Sequence, residues 1–324
     1  MLSVKRNLFV QQKFICMLTN VLNTKNKTGE TINMHDLIEK TEVLVEALPY
    51  IQQFRGAIAV IKFGGSAMED PILTHKTMRD IVLLEAIGMK PVVVHGGGKA
   101  ISARLREMNI EPHFINGLRV TCEKTIRVVD DVLHNVTNKQ LVEGILKAGG
   151  SGASISGKKL LRAKKLFTPD AETGKPLDIG YVGEVIAVDV APILDALHFN
   201  VIPVITPLAT DFHGQPYNIN ADTAACEIAK ALGARKLVFL SDVPGILRDP
   251  KDENSLISVI RTSEVEGLIA QGVLSGGMLP KIKSCVDSLE NGVTEVHMVD
   301  GRKAHSLLLE IFTTSGVGTQ IVRG

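Results

Sequence analysis

VVVHGGGKAISARL, Val92 to Leu105, carries a β-branched triplet into three consecutive glycines and then into a helical pattern in which Ile101 and Leu105 stand four apart. A short apolar run that ends at a turn and opens a helix is one unit of a strand-helix repeat. The same grammar recurs on either side. AIAVIKFGG, VIPVIT, KLVFLSD and EVHMVD are short, β-branched and end at turn residues, while TMRDIVLLEAIG and ADTAACEIAKALGA between them have helical periodicity. Such alternation predicts an α/β fold with a parallel sheet covered on both faces, and in such sheets ligands collect at the carboxyl ends of the strands. Gly96, Gly97 and Gly98 sit at that edge. Lacking side chains, they let backbone N–H groups approach an anion, to which a helix N-terminus adds partial positive charge. A tight strand-to-helix turn with no ligand fits the triplet equally well. The spacing is not a dinucleotide fingerprint, since Ile101 stands where the third glycine would be, nor a Walker A loop, since Ala100 follows Lys99.

The 324 residues, 45% of them hydrophobic, suffice for one large domain or two lobes. With 36 basic against 35 acidic residues, the formal net charge of +1 gives no overall field to hold a polyanion. The absence of Trp and an aromatic content of 4% leave little surface on which bases could stack, so nucleic acid is a poor fit as a partner. Cys16, Cys122, Cys226 and Cys285 are scattered singly, with no CxxC pair and no histidine at metal-ligand spacing, so free thiols in a reducing compartment and no bound metal are expected. No run of about 18 apolar residues is present to cross a membrane, and a soluble, cytoplasmic chain is expected.

Residues 1–28 carry basic residues and no Asp or Glu, as an organellar transit peptide would, but are poor in the Arg and Ser that such peptides favour. A removable segment addressed to an organellar matrix and a loosely attached extension both stay open. Beyond it, Asn33 can cap a helix through MHDLIEKTEVLVEAL, where Leu37, Leu44 and Ile51 recur every seven residues with Leu48 between them. Pro49 is expected to kink or break that helix. Packing on its own domain and packing against another subunit both suit such a stripe.

Three ionisable residues stand out at strand and helix ends. Lys62, last but one in its strand within IKFGGSAM, costs desolvation unless something negative meets it or it snorkels to the strand end. Asp222 in NINADTAACEIA begins a helix just after Asn218 and Asn220, where capping is the usual task of an Asp. Lys281 follows a glycine pair and Pro280 in GGMLPKIKSC. Each alone is ordinary.

IKFGGSAM, VVVHGGGKAI, FINGLRVT, NINADTAA, LVFLSDVPGIL and GGMLPKIK occur in this order from Ile61 to Lys283. Together they resemble the amino acid kinase family, and the resemblance covers essentially all of Leu44 to Val322. NGLRVT and the NxNAD pattern are similar to the branch that uses N-acetyl-L-glutamate, and separate the chain from aspartokinases, carbamate kinases and uridylate kinases. One departure is Lys159 in GASISGKKLLRAKKL, where the family carries Asp. It leaves the chemistry intact and puts in question the geometry of an expected peripheral hairpin.

The resemblance implies an open αβα sandwich with a mainly parallel central sheet, in two lobes. Residues 47–212 would bind N-acetyl-L-glutamate and dimerise, residues 213–324 would bind ATP, and residues 1–46 would form an extension and the start of an oligomerisation helix. The implied reaction moves the γ-phosphoryl group of ATP, carried with Mg²⁺, to the side-chain carboxylate of the acceptor, giving an acyl phosphate and ADP. Lys62 and Lys281 would hold the phosphates and the moving group, with Asp222 orienting both. Gly64, Gly65 and Gly97 would bind phosphate, while Gly97, Gly98, Arg119 and Asn218 would bind the acceptor, Arg119 clamping its α-carboxylate. Ser241, Asp242 and Gly245 would lie with Lys281 by the nucleotide. His95 has no metal partner and reads as structural. The chemistry agrees: a carboxylate with a pKa of about 4.3 is already ionised and needs no general base. The obstacle is repulsion, about 4 kcal/mol for two like charges about 4 Å apart at an effective dielectric near 20, so cations must stand between them.

HSLLLEIFTTSGVGT, His305 to Thr319, is similar to the C-terminal segment of arginine-inhibited members of the family, which also carry a kinked N-terminal helix and assemble as hexamers, trimers of dimers. That likeness implies an inhibitory L-arginine site built from Tyr50, His305, Glu310 and Gly316, with Glu310 taking the guanidinium. The plainer alternative is a helix packed on its own subunit and glycines that only end a helix. Other classes also stay in view. Another carboxylate kinase of the same fold, glutamate 5-kinase or aspartokinase-like, would not need Arg119. A non-catalytic amino-acid sensor would have lost one of the two lysines.

Overall fold

The computed structural model describes residues 45–170, 172–313 and 316–324, together with residues 35, 38, 41 and 42. The expectations for residues 1–34, and for Leu37 and Leu44 in the helical stripe, lie outside the described residues. Ala47 is a turn, and helix α1 (Leu48–Phe54) starts afresh with Pro49 in its first turn, where a missing N–H costs nothing. The break expected at Pro49 is there.

In chain order the strands are β1 (Ile58–Phe63), β2 (Lys90–His95), β3 (Phe114–Ile115), β4 (Leu118–Arg119), β5 (Gly152–Ile155), β6 (Leu161–Pro169) and β7 (Pro176–Val188). They continue with β8 (Ile202–Ile205), β9 (Leu208–Thr210), β10 (Pro216–Asn218), β11 (Lys236–Ser241), β12 (Val259–Arg261), β13 (Glu295–Asp300) and β14 (Thr319–Val322). The main helices after α1 are α2 (Pro71–Ala86), α3 (Gly98–Glu107), α4 (Glu123–Asp131), α5 (Lys139–Lys147), α6 (Ala191–His198), α7 (Ala221–Ala231), α8 (Met278–Glu290) and α9 (Ser306–Phe312).

The central sheet has the order β12-β14-β13-β11-β1-β2-β8-β5. The five strands legible in the sequence are β1, β2, β8, β11 and β13, and they run parallel. They are nearly continuous apolar runs because both faces are covered. Val60, Val92, Val94 and Phe239 pack on one face with α6, α7 and α8. Ala59, Ile61, Phe63, Val93 and Leu240 pack on the other with α2, α5 and α9. After β1 the chain builds outward through β2, and only later returns to place β11 on the other side of β1. The order therefore reverses beside β1, where a crevice opens at the carboxyl ends.

Strands β10, β7, β6 and β9 close a small ring outside this sheet, which the periodicity did not announce. It changes the reading of GASISGKKLLRAKKL: GASI is the edge strand β5, LLRAKKL enters β6, and the exposed Lys159 sits in the short helical turn between them. The segment is not one peripheral hairpin. Phe212 lies in the turn between the antiparallel strands β9 and β10, so a lobe boundary there would divide a strand pair.

Candidate active site

Strand alternation aims Lys62. It lies two residues beyond Val60 and shares the face covered by α7 and α8. Both helices begin at the carboxyl edge of the sheet, α7 with Asp222 and α8 with Lys281 in the first turn. Asp222 Oδ1 is 3.0 Å from Lys62 Nζ, and Asp222 Oδ2 is 3.2 Å from Lys281 Nζ. Burial alone would raise the Asp222 pKa, but the two ammonium groups outweigh it and hold the carboxyl below its ordinary value. Asp222 is not the cap. The Asn220 side chain accepts from the N–H groups of Asp222 (2.8 Å) and Thr223 (3.1 Å), which leaves the Asp222 carboxylate to the lysines.

The glycine edges of β1 and β2 abut. Gly96 N–H donates to the Phe63 carbonyl (2.8 Å), and a Cβ on Gly96 would stand 3.7 Å from Gly64 Cα. A Cβ on Gly64 would come 2.7 Å from the Lys62 ammonium. Gly65 has φ +74°, and a side chain there would run into the Asp242 carboxylate. Asp242 itself, expected at the nucleotide, uses Oδ1 to accept from Ser66 N–H (2.7 Å) and Ser66 Oγ (2.8 Å). Its work here is to hold the Gly64–Ser66 turn. Gly245, also expected at the nucleotide, is buried with φ +141°, and a Cβ there would meet Thr319 and Leu256. Among the described residues the buried Ser241 hydroxyl has no hydrogen-bond partner.

The neighbouring cleft is lined by Gly96, Gly97, Gly98, Arg119, Asn218 and Ala221 among others. Arg119 is 6% exposed. Its Nη2 donates to the Gly98 carbonyl (2.8 Å) and to Ser102 Oγ (2.9 Å), and its guanidinium carbon lies 4.6 Å from the Phe114 ring centroid. Burial, helped by Arg106, lowers its pKa. Among the described residues the buried Nη1 has no acceptor, so the site holds a desolvated guanidinium with an open donor, which suits a carboxylate ligand. Asn218 approaches from β10, its Nδ2 3.4 Å from Thr121 Oγ1.

A second polar cluster occupies the opposite face and the amino edge of the sheet, in a pocket lined by Tyr50, Lys236, Glu295, His297, Glu310 and Gly316 among others. Glu310 accepts from His297 Nδ1 (2.7 Å) and from the N–H groups of Val317 (2.8 Å) and Gly318 (2.9 Å). Burial would raise the Glu295 pKa, but His297 and the paired ammonium of Lys236 bring it down to about 2. Tyr50, Glu310 and Gly316 are thus together as expected. His305 is not with them: its Nδ1 pairs with Asp80 Oδ1 at 2.6 Å, and the pocket's histidine is His297. The missed signal was in the sequence, because a histidine within the apolar run EVHMVD demands a buried partner as Lys62 does in β1.

The sequence model of the amino acid kinase family matches residues 57–300. The chain belongs to the amino acid kinase family. Acetylglutamate kinase of Akkermansia muciniphila is 48% identical over 288 residues, covering 89% of this chain and 97% of that one. This likeness over nearly the full length of both places the chain among the acetylglutamate kinases of the family. Among solved structures, N-acetylglutamate synthase from Neisseria gonorrhoeae complexed with coenzyme A and N-acetyl-glutamate is 27% identical with a TM-score of 0.75; the likeness covers 87% of this chain and 63% of the synthase chain. The same synthase complexed with coenzyme A and L-arginine gives a TM-score of 0.72 at 27% identity, over 87% of this chain and 65% of that one. This chain therefore spans less than two thirds of the synthase's length.

Proposed function

We propose that the chain transfers the γ-phosphoryl group of ATP to the side-chain carboxylate of N-acetyl-L-glutamate through the residues at the carboxyl edge of the sheet. The observation that carries the reading is the row Lys62–Asp222–Lys281, set beside a cleft in which a buried Arg119 keeps an open donor. The acceptor needs no base, so what the reaction requires is cations between two anions. Lys62 and Lys281 supply them, and Asp222 fixes both while cancelling part of their mutual repulsion. Gly65 and Gly97 bring backbone donors to the moving group, and Gly98 leaves room at the cleft. Arg119 and Asn218 grip the acceptor, the arginine through its α-carboxylate. Ser241, at the end of β11, serves the nucleotide. Mg²⁺, taken up as part of the ATP substrate, would supply further neutralisation of phosphate charge beside Lys62 and Lys281. Asp222, committed to two ammonium groups, suits a lysine-orienting role better than a metal-ligating one.

The lobes are assigned as acceptor-binding up to the β9–β10 hairpin and nucleotide-binding beyond it, a boundary moved past Asn218 so that it divides no strand pair. Side-by-side ATP turnover with N-acetylglutamate, glutamate, aspartate and carbamate tests the function. N-acetylglutamate should exceed each of the others in kcat/KM by more than about 10²-fold, since a free ammonium would enter a pocket shaped for a neutral amide. Equal turnover of glutamate would sink the assignment.

A regulatory reading is supported by the second pocket and by the synthase that carries L-arginine. L-arginine bound among Tyr50, His297, Glu310 and Gly316 would act as an inhibitor, in a hexamer built through the N-terminal helix. Glu295, 19% exposed in its side chain against 3% for Glu310, is the more open carboxylate for a guanidinium. Inhibition that His297→Asn abolishes and His305→Asn leaves intact would support this site; the reverse pattern would remove it.

A further inference from the structure

We propose that His95 is a positioning residue for phosphoryl transfer: with its tautomer fixed by Asn138, it holds the Gly96–Gly97 peptide so that the Gly97 N–H faces the cleft. This rests on the kinase reading above.

His95 is fully buried at the end of β2. Asn138 Nδ2 lies 3.1 Å from His95 Nε2 and 2.8 Å from the Val204 carbonyl. An amide nitrogen only donates, so Nε2 accepts and the proton of the neutral ring sits on Nδ1. Nδ1 is 2.8 Å from the Gly96 carbonyl and donates to it. Burial brings the ring's pKa down to about 4, which keeps this neutral tautomer in place near neutral pH. In a trans peptide the carbonyl and the following N–H point in opposite directions. A Gly96 carbonyl turned inward to His95 therefore turns the Gly97 N–H outward, to the cleft that Gly97 lines. Among the described residues no backbone carbonyl takes that N–H.

The other side of Gly97 is closely packed. A Cβ on Gly97 would come 2.6 Å from Leu133 and 3.6 Å from Thr137. Both belong to the π-helical segment Val132–Asn138, whose last residue is Asn138 itself. This widened turn, a feature that recurs at functional sites, leaves no room for a side chain at Gly97 and at the same time sets the tautomer of His95. The relay runs Val204, Asn138, His95, Gly96, Gly97, and it ends on a donor aimed at the position of the transferred group.

Asn and Gln at position 95 separate this from a packing role, since Asn carries its amide nitrogen near the position of Nδ1 and Gln near that of Nε2. Only His95→Asn restores a donor to Gly96. At saturating ATP and N-acetylglutamate, His95→Asn should keep kcat within about fivefold of wild type, whereas His95→Gln should lose about 10²-fold, the cost of one misplaced transition-state donor. KM for both substrates should move less than about threefold in each, because ground-state contacts are untouched. Equal kcat in the two variants overturns the relay, as does a loss in the Gln variant carried by KM alone. Should either variant fail to fold, nitrogen NMR of the wild-type ring decides: an Nδ1–H tautomer supports the proposal and an Nε2–H tautomer overturns it. A wild-type chain without turnover of N-acetylglutamate overturns the kinase reading and this proposal with it, whereas an active wild type with equal variants overturns the relay alone.

Discussion

Asp222→Asn is the substitution that most directly probes how the site places its cations. The carboxylate lies 3.0 Å from one ammonium and 3.2 Å from the other, and at an effective dielectric near 20 each contact amounts to about 5 kcal/mol of Coulomb attraction before desolvation and solvent screening are subtracted. Asn has the same shape but carries no charge and only one acceptor oxygen. It can still hold one lysine through a neutral hydrogen bond, and its amide nitrogen faces the other ammonium with donors against donors. One of the two cations is thereby released. Misplacing a single preorganised charge partner costs about 10²-fold in kcat, roughly 2.7 kcal/mol of barrier. Arg119 and Asn218 are untouched, so KM for N-acetylglutamate should stay within about threefold of wild type. Steady-state turnover at saturating ATP, with the folded state checked by thermal unfolding, reads both quantities. A folded Asp222→Asn chain with kcat within fivefold of wild type would refute the orienting role.

Arg119→Lys should raise KM for N-acetylglutamate by about 10²-fold and leave KM for ATP unchanged, because a lysine cannot keep the Gly98 and Ser102 contacts while offering a second donor to a carboxylate. Similar rises in both constants would argue against an acceptor role. Gly65→Ala should lower kcat by more than about tenfold, since φ +74° and the adjoining Asp242 carboxylate leave no place for a methyl group; wild-type turnover by this variant would show that the turn need not be held. The pKa of His95 is lowered in the folded state to about 4, so protons bind the unfolded chain first and stability falls as pH drops from about 6.5 towards 4. The full loss at the lower end is about 3 kcal/mol, and denaturant unfolding of His95→Asn should lack that part of the slope. Glu295, whose pKa is held at about 2, contributes stability that is complete above its unfolded value and lost as pH falls from about 4.5 towards 2. The stability gap between wild type and Glu295→Gln should accordingly close over that window, and a gap that widened in acid would contradict the ion pairing.

Strands β1, β2, β8, β11 and β13 were legible in the sequence because a strand buried on both faces must be a short apolar run, and such runs ended at glycines and polar turns where the chain reversed. The candidate cations were legible for a related reason: a lysine in an apolar strand has to be answered by an anion. Local pattern could not say which anion. Asp222 looked like a helix cap, and only the tertiary structure shows Asn220 doing the capping and two lysines, from β1 and α8, meeting on the carboxylate. The ring of β6, β7, β9 and β10 escaped notice because its two hairpins alternate irregularly between buried and exposed residues, with register shifts between β6 and β7, and only the long-range pairings of Arg162 with Thr210 and Asn218 with Val182 close it. The same limit misplaced His305, which sits next to the right helix yet turns to Asp80, while His297 reaches Glu310 from a strand. Sequence thus determined which side chains could not be buried alone. Which partners answered them depended on strand register and helix docking, since a one-residue slip turns a strand residue to the opposite face and rotates a helix residue by about 100°.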